Sequence, residues 1–203
     1  NSLRNVKIMD GKMKGMIMSG MMALCLVLGI MAALGGTWQV PEGDEEMEGG
    51  YSLTAMHMDI EEAAMCKDMA GMMDGAECDG SVLTWGFSDA CEATEEDEPC
   101  DLATGGMMGT IGMWAGVFCA LMVTLMLVLP MAGIDAMDAV PDMGKTVLSW
   151  GAGALMLVGM LGWFLMLPSD SEMVMGMSGW MAGAAMSLGL GSTLIGQFIP
   201  ADE

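Results

Sequence analysis

The chain has 203 residues, 54% of them hydrophobic, with a mean hydropathy of +0.52 and a formal charge of −21 from 27 acidic and 6 basic residues. That much apolar content beside that many acids excludes a water-soluble domain with charge spread evenly over its surface. The net negative charge argues against nucleic acid and anionic lipid headgroups as partners, because both would be repelled.

Charge and apolarity are instead segregated along the chain. Residues 1–14 carry Arg4, Lys7, Lys12 and Lys14. Residues 15–37 then contain no Asp, Glu, Lys or Arg, and the same holds for 105–130, 146–167 and 176–199. At about 1.5 Å per residue each makes a helix of roughly 33 Å or more, against about 30 Å of hydrocarbon. The sequence therefore predicts an all-α integral membrane protein, an antiparallel four-helix transmembrane bundle. A basic stretch, an apolar run and the small residues AALGG also fit a cleaved signal within residues 1–36, but that run is longer than the usual 7 to 15 residues. Basic residues near span ends stay on the cytoplasmic side. With Lys145 in the connection 131–145, both the N-terminal 1–14 and the C-terminal 200–203 are expected in the cytoplasm. Only Lys67 falls outside.

The first extracellular loop, 38–104, has 19 acids against Lys67. Its Cys66, Cys78, Cys91 and Cys100 read as two disulfides on the oxidising side of a membrane. Of three possible pairings the local one, Cys66 with Cys78 and Cys91 with Cys100, closes loops at least entropic cost. Its scarcity of Val and Ile leaves little apolar area, so the cap needs those staples. Residues 53–74, rich in Met, Ala and Glu, predict a helix on which Met58, Met65, Met69 and Met72 form an apolar stripe. Met56, His57 and Met58 are the candidate copper ligands, soft donors suited to Cu(I). On that helix His57 points about 100° from the methionine stripe, and Met is concentrated in the spans, so packing is the preferred reading and no cofactor is expected.

The second span has Gly112 and Gly116 at the spacing that lets helix backbones approach closely, and the fourth has Gly179, Gly183, Ser187 and Gly191 every four residues. Such a ribbon packs within the bundle or between subunits. Trp38, Trp163 and Trp180 near the outer boundary, and Trp150 near the inner one, read as interfacial anchors. The spans hold no ionisable residue other than cysteine, and their polar groups reduce to scattered hydroxyls and Gln197, which argues against a proton relay or pump. One histidine, with no HExxH, GxSxG, EF-hand or phosphate-loop pattern, points away from an enzyme.

Four spans with cytoplasmic ends, a long first loop with the cysteine pair Cys66 and Cys78, a short second loop at 168–175, and GTW ending in Trp38 resemble the claudin and peripheral-myelin-protein tetraspan superfamily. The resemblance implies a barrier or adhesion role. The sequence departs from it in reading EEAAMC before its first loop cysteine, in the second pair Cys91 and Cys100, and in having too few β-branched residues for that family's outer β-sheet. The expected function is a non-catalytic structural, scaffolding or adhesion protein in the plasma membrane. Its partners would be the lipid bilayer and, through the packing surfaces, a second copy or another membrane protein. The alternatives are copper binding or a cation path whose outer mouth gathers ions on Glu45, Glu46, Glu96 and Asp97.

Overall fold

The structure, a computed structural model, describes residues 9–42, 49–94, 97–133, 140–167 and 173–202. Arg4, Lys7, Glu45, Glu46 and Glu96, to which the sequence assigns roles, lie outside them. Four long helices dominate: α1 (Gly11–Leu34), α4 (Asp97–Val128), α5 (Asp142–Leu165) and α6 (Met177–Phe198). Between α1 and α4 lie the short helices α2 (Ala63–Ala70) and α3 (Phe87–Thr94) and five strands, β2 (Gln39–Pro41), β3 (Gly49–Tyr51), β4 (Ala55–Asp59), β5 (Ala76–Asp79) and β6 (Val82–Gly86). Strand β7 (Met173–Met175) precedes α6, and β1 (Met9–Asp10) pairs in parallel with β8 (Ala201–Asp202) at the opposite end.

Local chemistry sets the helix ends. Helix α4 opens with Asp97 and Glu98, acids that complement the positive end of the helix dipole, followed by Pro99 in the first turn. After a 3-10 turn, Leu129–Ala132, the chain reverses at Gly133, whose φ of 75° lies in the left-handed region that glycine adopts without steric cost. At the C-terminus of α6 the Lys14 ammonium donates to the carbonyls of Gly196 (2.9 Å) and Ile199 (2.6 Å), which binds the first helix to the last.

The long helices pack as a ring, with α1 beside α4 and α6, and α5 beside α4 and α6. The tightest approach joins α4 to α5: a Cβ on Gly112 would lie 2.5 Å from the Gly159 Cα, and one on Gly116 would collide with Met156. Small residues fill most of the interior, among them Ala32, Ala120, Ala152, Ala182, Ala185 and Ser192. Large apolar side chains point outward from every long helix, for example Leu24, Phe118, Val158 and Phe198. Helices α1, α4 and α5 are each long and apolar enough to cross a membrane. Helix α6, with five glycines, three serines, Thr193 and Gln197 among its 22 residues, has the length but is less apolar.

Two expectations are corrected. The protein is not all-α, because the loop builds most of a six-stranded sheet. The helix expected over 53–74 shrinks to Ala63–Ala70, since 55–59 form a strand with hydrogen-bonded neighbours on both sides.

The seam yields a paired test. Gly112→Ala should lower the stability of the detergent-solubilised protein by about 1–3 kcal/mol through overpacking against a backbone that has no room to move. The same change at Gly183, where a Cβ meets only the Met160 methyl at 3.9 Å, should cost nothing measurable. Thermal unfolding followed by circular dichroism compares the two.

Candidate functional site

The sheet runs β5-β6-β4-β3-β2-β7, antiparallel throughout. Its five loop strands come from the segment between α1 and α4, and its last strand from the segment between α5 and α6. Side chains alternate across each strand. One face carries Tyr51, Met56, Met58, Leu83, Trp85 and Cys78, directly opposite one another in the register. It packs on the helices and on a small core of Ile60, Cys66 and Leu83, to which Met58, Met69 and Met73 add. The other face carries His57, Asp59, Val82, Thr84, Glu77 and Asp79. This surface is polar and acidic, with Asp59, Glu77, Asp79 and Val82 exposed.

Disulfides Cys66–Cys78 and Cys91–Cys100 hold the cap, in the local pairing that loop length favours. The first ties α2 to β5 across the small core. The second fastens α3 to the first turn of α4.

Hydrogen bonds join cap to helices at Trp38. Its indole N–H donates to the Ala32 carbonyl (2.9 Å) at the end of α1, and its backbone N–H donates to the Tyr51 carbonyl (2.7 Å). Its own carbonyl accepts from Gly176 N–H (2.8 Å), while Ser178 N–H donates to the Thr37 carbonyl (3.0 Å). Rings continue the junction: Tyr51 stands edge-on to Phe87 at 5.6 Å, and Phe87 lies 5.7 Å from Trp163. Beneath them the Trp163 indole nitrogen, the Gln39 carbonyl oxygen Oε1 and the Thr110 hydroxyl are buried without a hydrogen-bond partner. Burial raises the Tyr51 pKa, and the charge of Glu98 adds to that rise.

No family model matches this chain, and no curated protein matches it. Met56, His57 and Met58 are consecutive in β4, so the two thioethers and the imidazole leave on opposite faces and do not converge. His57 Nδ1 instead lies 3.1 Å from the Thr84 hydroxyl across the strand pair. Among the described residues, no group of three or more His, Cys, Asp or Glu is placed to hold a metal. The methionine stripe breaks up as well: Met58 reaches the small core from a strand, Met69 reaches it from α2, and Met65 and Met72 are 54% and 79% exposed. Asp97, the described member of the expected cation mouth, sits exposed in the first turn of α4.

On α6 the ribbon as a whole does not line the packing face within the bundle. Gly179 abuts Met175 and the Trp38 carbonyl, but Gly183 is nearly free of neighbours, Ser187 is exposed and bonds back to Gly183, and Gly191 meets only the Met21 methyl. Gly112 and Gly116 do lie at a helix contact, against Gly159 and Met156. Trp38 and Trp163 are fully buried rather than interfacial, and Trp150 is partly buried; Trp180 alone of the four is broadly exposed, at 67%. Tyr51, Phe87 and Thr84 were not legible as site residues in the sequence; for Thr84 the signal was the alternation of polar and apolar residues in AMHMD and VLTWG.

Two outcomes follow for the cap. Replacing Cys66 and Cys78 together by Ser should destabilise it by about 3 kcal/mol, the entropy of releasing a short loop, read by hydrogen exchange of the β5 and β6 amides. Burial lowers the His57 pKa below its ordinary 6.5. Its stabilising contribution is therefore complete above that value and is lost as pH falls through the lowered one. The stability difference between wild type and His57→Gln should shift against wild type between about pH 7.5 and about pH 5.5; a difference independent of pH would refute the linkage.

Proposed function

We propose that this chain is a four-span integral membrane protein with a non-catalytic structural or adhesive role, its outer sheet serving as a contact platform. The observation that carries this reading is the outward-facing apolar surface of all four long helices around an interior of small residues. Water would penalise that surface by about 25 cal/mol per Å², whereas lipid tails do not. Helix α6 takes part through Met177, Trp180, Leu194 and Phe198, which supports four crossings despite its glycines and hydroxyls. Lys12, Lys14 and Lys145 lie at the end of the helices away from the sheet, which supports cytoplasmic termini and an extracellular cap.

The sheet also supports the tetraspan resemblance. Scarcity of β-branched residues spoke against the outer β-sheet of the claudin-like superfamily, yet a sheet forms, draws on both loops, includes a disulfide-bonded strand and begins directly after Trp38. A platform built from both loops is rigidly coupled to the helices beneath it. Such a surface suits contact with a neighbouring cap, on the same or an apposed membrane.

Topology and activity are tested separately. Ser88→Cys, on the cap, should react with a membrane-impermeant maleimide on intact cells, and Met143→Cys only after permeabilisation. Reversed labelling, or labelling of both on intact cells, would invert or break the four-span arrangement. For activity, vesicles bearing the chain should cluster by light scattering, and Glu77→Lys with Thr84→Arg on the polar face should change that clustering. Cation flux without clustering would instead place the chain among transport proteins.

A further inference from the structure

Away from the cap, a cavity of about 380 Å³ lies between α4, α5 and α6 with Met18 of α1 at its side. Cavities that hold small ligands span about 300–1,000 Å³ and combine apolar walls with a few convergent polar groups. Here Met18, Val123, Met126 and Leu127 supply the apolar walls, and Lys145, Thr146, Ser149, Thr193 and Gln197 the polar one. The Thr193 hydroxyl lies 2.7 Å from the Ser149 carbonyl and 2.8 Å from the Ser149 hydroxyl, a polar cross-link between α5 and α6 beside the cavity.

Three features favour an anion. Lys145 has three ammonium donors, and its ion pair with Asp142 is long (3.4 Å) and solvent-exposed, an arrangement that contributes little. No side-chain hydrogen bond caps the N-terminus of α5, whose dipole is positive there and is met in its first turn by the exposed Asp142 carboxylate alone. Most acids among the described residues are also remote. Thirteen of them lie in the segment 38–104, separated from Lys145 by most of α5. That distance is about 30 Å at 1.5 Å per residue, some three Debye lengths at about 10 Å. Repulsion from those acids does not reach this end, where Asp142 is the described acid beside Lys145.

We propose that this cavity binds one anionic phospholipid, its phosphate on Lys145 and the first turn of α5 and one acyl chain against Val123, Met126 and Leu127. The occupant is a lipid rather than a free anion because an inorganic ion would leave the apolar walls exposed to water. This inference rests on the membrane reading above.

The full chain, purified in neutral detergent, is titrated by native mass spectrometry with phosphatidylglycerol and with phosphatidylcholine of the same acyl chains. Wild type should prefer the anionic lipid about fivefold, the equivalent of about 1 kcal/mol for one lysine near an anionic headgroup. Lys145→Gln should abolish the preference, Lys145→Arg should keep it, and Met126→Trp, which fills the cavity, should weaken both lipids. Unchanged thermal unfolding of Lys145→Gln shows that its effect is not misfolding. Equal affinity of wild type for the two lipids, a preference that survives Lys145→Gln, indifference to Met126→Trp, or displacement of lipid by inorganic phosphate would each overturn the site. A chain that stays monodisperse without detergent would sink the membrane reading itself, whereas loss of lipid preference in a detergent-requiring chain sinks only this inference.

Discussion

Gly112 on α4 and Gly159 on α5 meet backbone to backbone, and much of the molecule follows from how closely those helices approach. A Cβ on Gly159 would lie 2.9 Å from the Gly112 Cα, as a Cβ on Gly112 would lie 2.5 Å from the Gly159 Cα. Helices this close leave space for methyl groups and little else between them, so few large side chains, chiefly Met22, Met113, Met156 and Trp163, are wholly buried in the bundle. Leu102, Val117 and Val123 are buried as well, but many of the other Leu, Val, Met and Phe side chains are displaced to the perimeter. Dispersion between closely matched backbones replaces the burial of large apolar surface as the cohesive force, an economy that suits an apolar solvent.

The cap has the opposite difficulty. It has little apolar mass, so covalent and backbone bonds supply what side-chain burial does not. Two disulfides shorten its free loops, and six strands satisfy one another's amides. Strand β7 makes the last of these pairings consequential, because Val40 opposite Val174 locks the segment leaving α1 to the segment entering α6. Those two helices are also tied at their other ends by Lys14. The α1–α6 pair is thus fastened top and bottom, while α4 and α5 are held along their length by the glycine seam.

Four long helices were legible because a stretch free of charge for more than twenty residues has few other uses. Their ends were less so: α4 begins at Asp97, eight residues before the charge-free run, since a helix continues past the apolar layer wherever acids and a proline favour its first turn. The disulfide pairing was legible from loop length. The sheet was not, because methionine is unbranched and scores as a helix former, which hid the period of two in Met56, His57, Met58. The α6 ribbon does not follow the packing face within the bundle for a geometric reason. A step of four residues turns 400°, so a strict repeat of four drifts about 40° per step around the helix. Gly179 starts it at the buried junction, and Ser187 is already exposed. The line that does stay inward is Ala182, Ala185, Gly189 and Ser192, spaced three, four and three. Trp38 and Trp163 stand at the cap junction, but residue type alone does not say whether an indole faces lipid or the core.

The abundance of methionine also acquires a structural cause. The chain has 30 Met and 30 Gly, and the two repeatedly meet. A Cβ added at Gly29 would strike the methyl of Met156, one at Gly191 the methyl of Met21, and one at Gly196 the methyl of Met18, each at 2.8 Å; at Gly162 the Met108 methyl stands 3.2 Å away. Glycine opens a shallow, irregular hollow on one helix. An unbranched thioether with three rotatable bonds can bend into it, where leucine or isoleucine would leave a void or clash. Met156, Met21, Met18 and Met108 thus each stand at a different glycine, an arrangement that fills space along the helix seams.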